Sequence, residues 1–147
     1  MNRPERFVSL FGFFAFKYPS SWTNETDESG HYLFYNANGG QGVLRVMVMP
    51  NDFGSDDEKM IEEVLNQNRE FSPSLYVANK NKFVHFVKEH TINNSLFTVY
   101  YWATAKKDKV VLFALTVQSL MKELPLAISE REEVEAMIGS LEFLNEH

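Results

Sequence analysis

The chain of 147 residues contains no cysteine. Disulfides, thiolate catalysis and zinc sites with sulfur ligands are therefore excluded. Basic residues are also scarce, since 14 Lys and Arg stand against 20 Asp and Glu and give a formal net charge of −6. This balance argues against nucleic-acid binding, which depends on neutralising many phosphates.

The sequence also lacks a long apolar run. The longest, residues 7–16, falls far short of the roughly 20 residues needed to cross a bilayer. Two arginines precede this run, as in a secretory signal, but it holds five phenylalanines and no small-residue cleavage site follows it. We therefore expect no membrane association and a cytoplasmic protein.

Apolar and aromatic side chains are abundant, at 44% and 14% of the residues. This content is enough to form a core at this length. No internal repeat, low-complexity tract or long Pro/Gly/Ser linker divides the sequence. We expect residues 1–147 to form a single domain.

Six segments have the composition and spacing of β-strands. Turn residues separate them, among them Pro19-Ser20, the glycine-rich segment 39–42 and Asn93-Asn94. The last segment is apolar at both parities, which is typical of a central strand covered on both faces. The predicted strands are 14–18, 32–35, 43–49, 83–91, 96–106 and 109–119.

Two further segments have the apolar period of a helix. The first follows a predicted capping box, Ser55 to Glu58, and extends to about residue 69. The second follows a predicted capping box at Ser129 to Glu132, and its apolar stripe is Val134, Met137, Ile138 and Leu141. Several antiparallel hairpins and two amphipathic helices predict an α+β fold. In it, an antiparallel β-sheet packs between helices as an α/β/α sandwich.

Two short motifs resemble those of a known superfamily. The segment Phe16-Lys17-Tyr18-Pro19-Ser20-Ser21-Trp22 resembles the Tyr-Pro-x-x-Trp opening of PsbP-like domains, and residues 137–143 are similar to their last helix and strand. The superfamily includes the photosystem PsbP subunits, the Ran-binding Mog protein and bacterial domains of unknown function. The resemblance implies the PsbP-like fold and a role in binding or assembly, and it transfers no site residue to this chain.

Linear catalytic motifs are absent from the sequence. No G-x-S-x-G supplies a serine nucleophile. His85 and His90 are an odd number of residues apart on one predicted strand, so they point to opposite faces and cannot pair. The glycine-rich segment 39–42 precedes a strand, so we interpret it as a hairpin loop and not as a phosphate site. We expect no enzyme and no cofactor.

Acidic residues precede or begin both predicted helices. Asp52, Asp56, Asp57 and Glu58 surround Gly54, but they lack the spacing of a calcium loop. We interpret them as acids that complement the helix dipole, and we expect no metal site. The same interpretation applies to Glu130, Glu132 and Glu133.

Charge is unevenly distributed along the chain. Residues 79–109 hold six lysines and two acids, whereas residues 52–63 hold six acids and one lysine. Such runs are either solvated faces or docking surfaces. Arg45 lies in an otherwise apolar strand, where we favour a structural ion pair over ligand recognition. Tyr100 and Trp102 share one strand face, and they form either the layer beneath a helix or a binding platform.

These observations predict a non-catalytic module that docks on another protein. One version is an immunity-type protein, a small acidic domain that covers a basic toxin. The predicted contact residues lie on the outward faces of the helices: Glu62, Glu63, Glu132 and Glu135. The alternative function is a carrier of a small apolar ligand in a pocket between sheet and helix.

Overall fold

The structure is a computed structural model that describes residues 3–51 and 56–144. Within these ranges the chain forms two antiparallel sheets and two α-helices. The strands in chain order are β1 (Pro4–Val8), β2 (Phe14–Pro19), β3 (Trp22–Thr26), β4 (Tyr32–Asn36), β5 (Gly42–Pro50), β6 (Ser74–Ala78), β7 (Asn81–Ile92), β8 (Ser95–Lys106), β9 (Lys109–Gln118) and β10 (Glu142–Phe143). The helices are α1 (Asp57–Gln67) and α2 (Pro125–Gly139).

The larger sheet has seven strands in the order β3-β4-β5-β9-β8-β7-β6. Strand β9 lies at its centre, as its apolar pattern predicts, and Val111 and Phe113 are fully buried. The smaller sheet has the order β1-β2-β10.

The helices cover opposite faces of the seven-stranded sheet. Helix α1 packs Ile61 and Val64 against Val84 and Phe86 on one face of this sheet. We call this face the outer face. Helix α2 and the three-stranded sheet cover the other, inner face, where Phe16 and other aromatic rings fill the main core. The predicted α+β sandwich, with an antiparallel sheet between helices, is confirmed. Among the described residues, no helix is long and apolar enough to cross a membrane.

Short strands at the sheet edges are what sequence patterning misses. The structure adds β1, β3, β6 and β10 to the six predicted strands. Trp22 begins β3 and does not belong to the turn before it. Each added strand has at most five residues, too few to establish an alternating pattern.

The prediction of how α2 begins is wrong. The helix starts at Pro125, four residues before Ser129, so Ser129 lies inside it and caps nothing. A proline at the first helical position needs no N–H partner and already has a helical φ, which explains the earlier start. At α1 the cap is Asp56, whose side chain accepts a hydrogen bond from the Lys59 amide at 3.0 Å. Ser55 lies outside the described residues.

Candidate functional site

The four predicted contact residues do not form one surface. Glu62 and Glu63 lie on α1, and Glu132 and Glu135 lie on α2, on opposite faces of the large sheet. Glu63 is half-buried and accepts a hydrogen bond from Gln67 Nε2 at 3.0 Å, while the other three are exposed. One flat partner surface can therefore contact at most one of the two acidic pairs.

The histidines lie on opposite faces of the sheet, as their spacing predicts. His85 stacks on Trp102 at 4.7 Å between ring centroids, and its Nδ1 lies 2.8 Å from the Tyr101 carbonyl oxygen. His90 places Nε2 3.2 Å from the Tyr101 hydroxyl. Within the described ranges, no group of three or more His, Asp or Glu could hold a metal ion, and Asp52 and Gly54 lie outside them.

Arg45 and the aromatic face of β8 have structural roles. Arg45 Nε lies 3.8 Å from Asp27 Oδ2, so the predicted ion pair is confirmed. Tyr100 and Trp102 are buried on the inner face, and Arg131 of α2 donates to the Tyr100 hydroxyl at 2.9 Å. They form the layer beneath α2, and the interpretation as a binding platform is wrong.

Glu130 is not a solvated acid at a helix start. It lies in the second turn of α2, is 1% exposed, and accepts hydrogen bonds at Oε1 from the amides of Gln41 and Gly42. The glycine-rich segment is the predicted hairpin connection between β4 and β5. Its amides bind a carboxylate of the same chain, a contact that linear spacing cannot reveal.

A strained turn between β1 and β2 exposes two large apolar side chains. Leu10 is 69% exposed and Phe11 is 92% exposed, and the Phe11 backbone is left-handed at φ 64°. Hydrogen bonds fix the turn: Ser9 Oγ accepts from the amides of Phe13 and Phe14, and the Leu10 amide donates to the Tyr32 hydroxyl. The surrounding structure therefore holds Phe11 in a conformation that a phenylalanine rarely adopts.

This Leu10–Phe11 turn forms one wall of a cavity of about 390 Å³. The opposite wall comes from the large sheet, with Tyr32 of β4, Val48 of β5 and Lys109 of β9, and Leu144 also lines the cavity. The lining is mostly apolar. A projecting aromatic side chain thus lies beside an open apolar cavity.

A second concave region lies on the outer face, between α1 and strands β5, β7, β8 and β9. This outer-face groove has a volume of about 480 Å³ and is lined by Met49, Pro50, Met60, Val64, Gln67, Asn68, Phe86, Lys88, Tyr101, Ala103, Val110 and Leu112. Burial raises the pKa of Tyr101, so its phenol is protonated at neutral pH. The sequence predicts a pocket between sheet and helix, but it cannot predict that α1 leaves part of this sheet face uncovered.

Comparison with solved structures identifies the fold class of the chain. The architecture is that of PsbP-like domains, and similar structures include cyanobacterial PsbP (CyanoP) from Synechocystis and LpqN of Mycobacterium tuberculosis, the latter described as involved in cell envelope biogenesis. Both have a TM-score of 0.63, with 10% and 8% identity. Each comparison covers 97% of this chain, and 94% and 91% of the respective relative.

A family model assigns the chain to a narrower group than the fold class does. The chain belongs to the family described as Domain of unknown function (DUF3805), whose model matches residues 2–146. A crystal structure from Bacteroides thetaiotaomicron has a TM-score of 0.78 at 23% identity over 97% of this chain. The chain spans about half, 49%, of that protein. No curated protein matches the sequence.

Proposed function

We propose that this chain is a non-catalytic module that docks on another protein through the Leu10–Phe11 turn. The observation that carries the proposal is Phe11, which is 92% exposed on a left-handed backbone beside an apolar cavity. We propose further that the module acts in the cytoplasm, as the sequence predicts.

The energetics of the turn support a binding role. A left-handed conformation costs a non-glycine residue about 1–2 kcal/mol. Strain of this kind clusters at sites that clamp a ligand or a partner. Aromatic side chains are also enriched among the residues that dominate binding energy at interfaces. Phe11 combines the strain, the side chain and the exposure that such a residue needs.

The surroundings of the turn favour a partner of a particular chemistry. The cavity beside Phe11 can receive an apolar side chain, because Val48, Tyr32 and Leu144 line it. Lys109 also lines it and belongs to the β8–β9 turn 106–109, which contains three lysines and one aspartate. Complementary charge orients partners and speeds association. We therefore expect a partner surface with an apolar side chain flanked by carboxylates.

A pair of matched variants tests this surface. Leu120 is 93% exposed in a short 3-10 turn that lines none of the described cavities, so Leu120→Asn is the control for Phe11→Asn. Asparagine tolerates a left-handed backbone, so Phe11→Asn leaves stability unchanged or raises it by up to about 1 kcal/mol. Native mass spectrometry of protein purified gently from the cells that make it measures retention of a partner.

We expect wild type and Leu120→Asn to retain an added protein mass and Phe11→Asn to lose it. Retention by Phe11→Asn contradicts the proposal. So does loss of the partner on reversing an acidic helix face, with Glu62→Lys and Glu63→Lys or with Glu132→Lys and Glu135→Lys. The latter result would favour the immunity-type version, in which acidic faces bind a basic partner.

The outer-face groove favours a second function, transport or sensing of a small apolar ligand. Its volume of about 480 Å³ lies within the roughly 300–1,000 Å³ of small-molecule sites. A ligand that binds only the folded protein raises its thermal midpoint. A screen of apolar compounds that leaves this midpoint unchanged would contradict the second function.

A further inference from the structure

We propose that the outer-face groove binds a long-chain carboxylate whose head group pairs with Lys88. This inference rests on the second function proposed above and names its ligand class. Three features of the groove support it: a mostly apolar lining, an ammonium group with no carboxylate partner among the residues that the structure describes, and polar neighbours that already have partners.

The outer-face groove suits a flexible hydrocarbon chain. Met49 of β5 and Met60 of α1 both line it, and Ala103 of β8 and Val110 of β9 contribute small or short side chains to the lining. Methionine side chains are unbranched and adapt to differently shaped apolar ligands. Each buried methylene group stabilises a complex, so a chain of several carbons supplies substantial affinity.

Lys88 is the cationic side chain of the lining. Its ammonium lies 4.9, 5.5 and 5.9 Å from the ring centroids of Phe71, Phe86 and Tyr101. Among residues 3–51 and 56–144 it forms no ion pair and no hydrogen bond. The three rings contact the cation without neutralising it. An anionic head group would supply the missing countercharge.

The other polar side chains that line the groove are engaged within the protein. Asn68 Nδ2 donates to the Val64 carbonyl at 2.9 Å, and Gln67 Nε2 donates to Glu63. The Tyr101 hydroxyl lies 3.2 Å from His90 Nε2. Lys88 is therefore the lining group best able to recognise a charged head.

Titration with dodecanoate and with neutral dodecanol tests the inference. We expect the wild type to bind dodecanoate more tightly, and Lys88→Met to lose about tenfold in dodecanoate affinity with dodecanol affinity unchanged. Lys88→Arg keeps the charge and should retain the preference. Lys59→Met, on an exposed position of α1, is the control and should behave as wild type.

Methionine methyl resonances locate the ligand. Met49 and Met60 should shift on adding dodecanoate, and Met121, which packs against the core on the inner face, should not. Equal binding of dodecanoate by wild type and Lys88→Met overturns the role of Lys88 but leaves the apolar carrier standing. If neither dodecanoate nor dodecanol binds the wild type, the inference and the second function both fail.

Discussion

Glu130 shows how one buried carboxylate can join two distant parts of the chain. It lies on α2, yet its Oε1 receives the Gln41 and Gly42 amides at 2.8 and 3.0 Å. Gly40 is equally constrained, since a Cβ there would lie 2.1 Å from Glu130 Oε2 and 2.8 Å from Asn36 Cβ. The glycine is required because of close packing, and the glutamate because buried amides need an acceptor.

Replacing Glu130 should therefore destabilise the fold in a specific way. Glu130→Ala leaves the buried Gly42 amide without its acceptor and should cost about 2 kcal/mol in urea unfolding. Exposed Glu132→Ala, on the same helix, should change stability by less than about 0.5 kcal/mol. Gly40→Ala should cost less in the Glu130→Ala background than alone, with a coupling of about 0.5 kcal/mol or more. Strict additivity of the two substitutions would contradict this contact.

Asp27 makes a pH-dependent contribution to the stability of the fold. The His31 and Ser29 amides, with the His31 ring and Arg45 nearby, hold the pKa of its carboxyl below its ordinary value, although burial opposes them. A lowered folded-state pKa means that the ionised form stabilises the fold. This contribution is present above the ordinary value and is lost as the pH falls through the lowered pKa.

Asp27→Asn should therefore be less stable than wild type at neutral pH. The difference should stay constant above the ordinary pKa of an aspartate and shrink as the pH falls through the lowered pKa of Asp27, because both proteins then carry a neutral side chain. Urea unfolding of the two proteins across this range measures it. A difference that does not vary with pH would show that the carboxylate charge is not responsible.

At the scale of elements, the regular apolar period predicts where the long strands lie better than local capping signals predict where a helix begins. The long strands β7, β8 and β9 match their predicted ranges to within two residues, because each pairs with a neighbour over many positions. Helix starts are harder to predict, since Ser129 and Pro125 offer competing local signals and the helix begins at the proline. Short edge strands depend on partners that are distant in sequence and leave little local pattern.

We expect alanine substitutions at the two predicted helix caps to affect stability differently. Asp56→Ala removes a side-chain acceptor for the Lys59 amide and should lower the free energy of unfolding by about 1 kcal/mol. Ser129 lies inside α2 and is exposed to solvent. Ser129→Ala replaces it with a better helix former and should leave the free energy of unfolding unchanged or slightly higher. Thermal and urea unfolding check both. A cost for Ser129→Ala equal to that for Asp56→Ala would favour the later helix start.

On the scale of the whole molecule, acidic residues lie on both sides of the sandwich, and an exposed apolar turn lies beside basic residues. Acidic Glu62 and Glu132 mark opposite sides of the sandwich, and the Leu10–Phe11 turn lies next to the lysine-rich β8–β9 turn. The sequence predicts the fold class and uneven charge from composition and periodicity. It does not predict the Phe11 site, because a tertiary hydrogen bond from Leu10 to Tyr32 acts together with the local bonds to Ser9 to fix the turn.

The most direct test of docking is photo-crosslinking in the cells that make the protein. Benzoylphenylalanine replaces Phe11 in one sample and the equally exposed Leu120 in the other, and adducts are identified by mass spectrometry. We predict one discrete protein adduct at position 11 and none at position 120. No adduct at position 11, the same adducts at both positions, or an adduct of two copies of the 17.0 kDa chain would contradict docking on another protein.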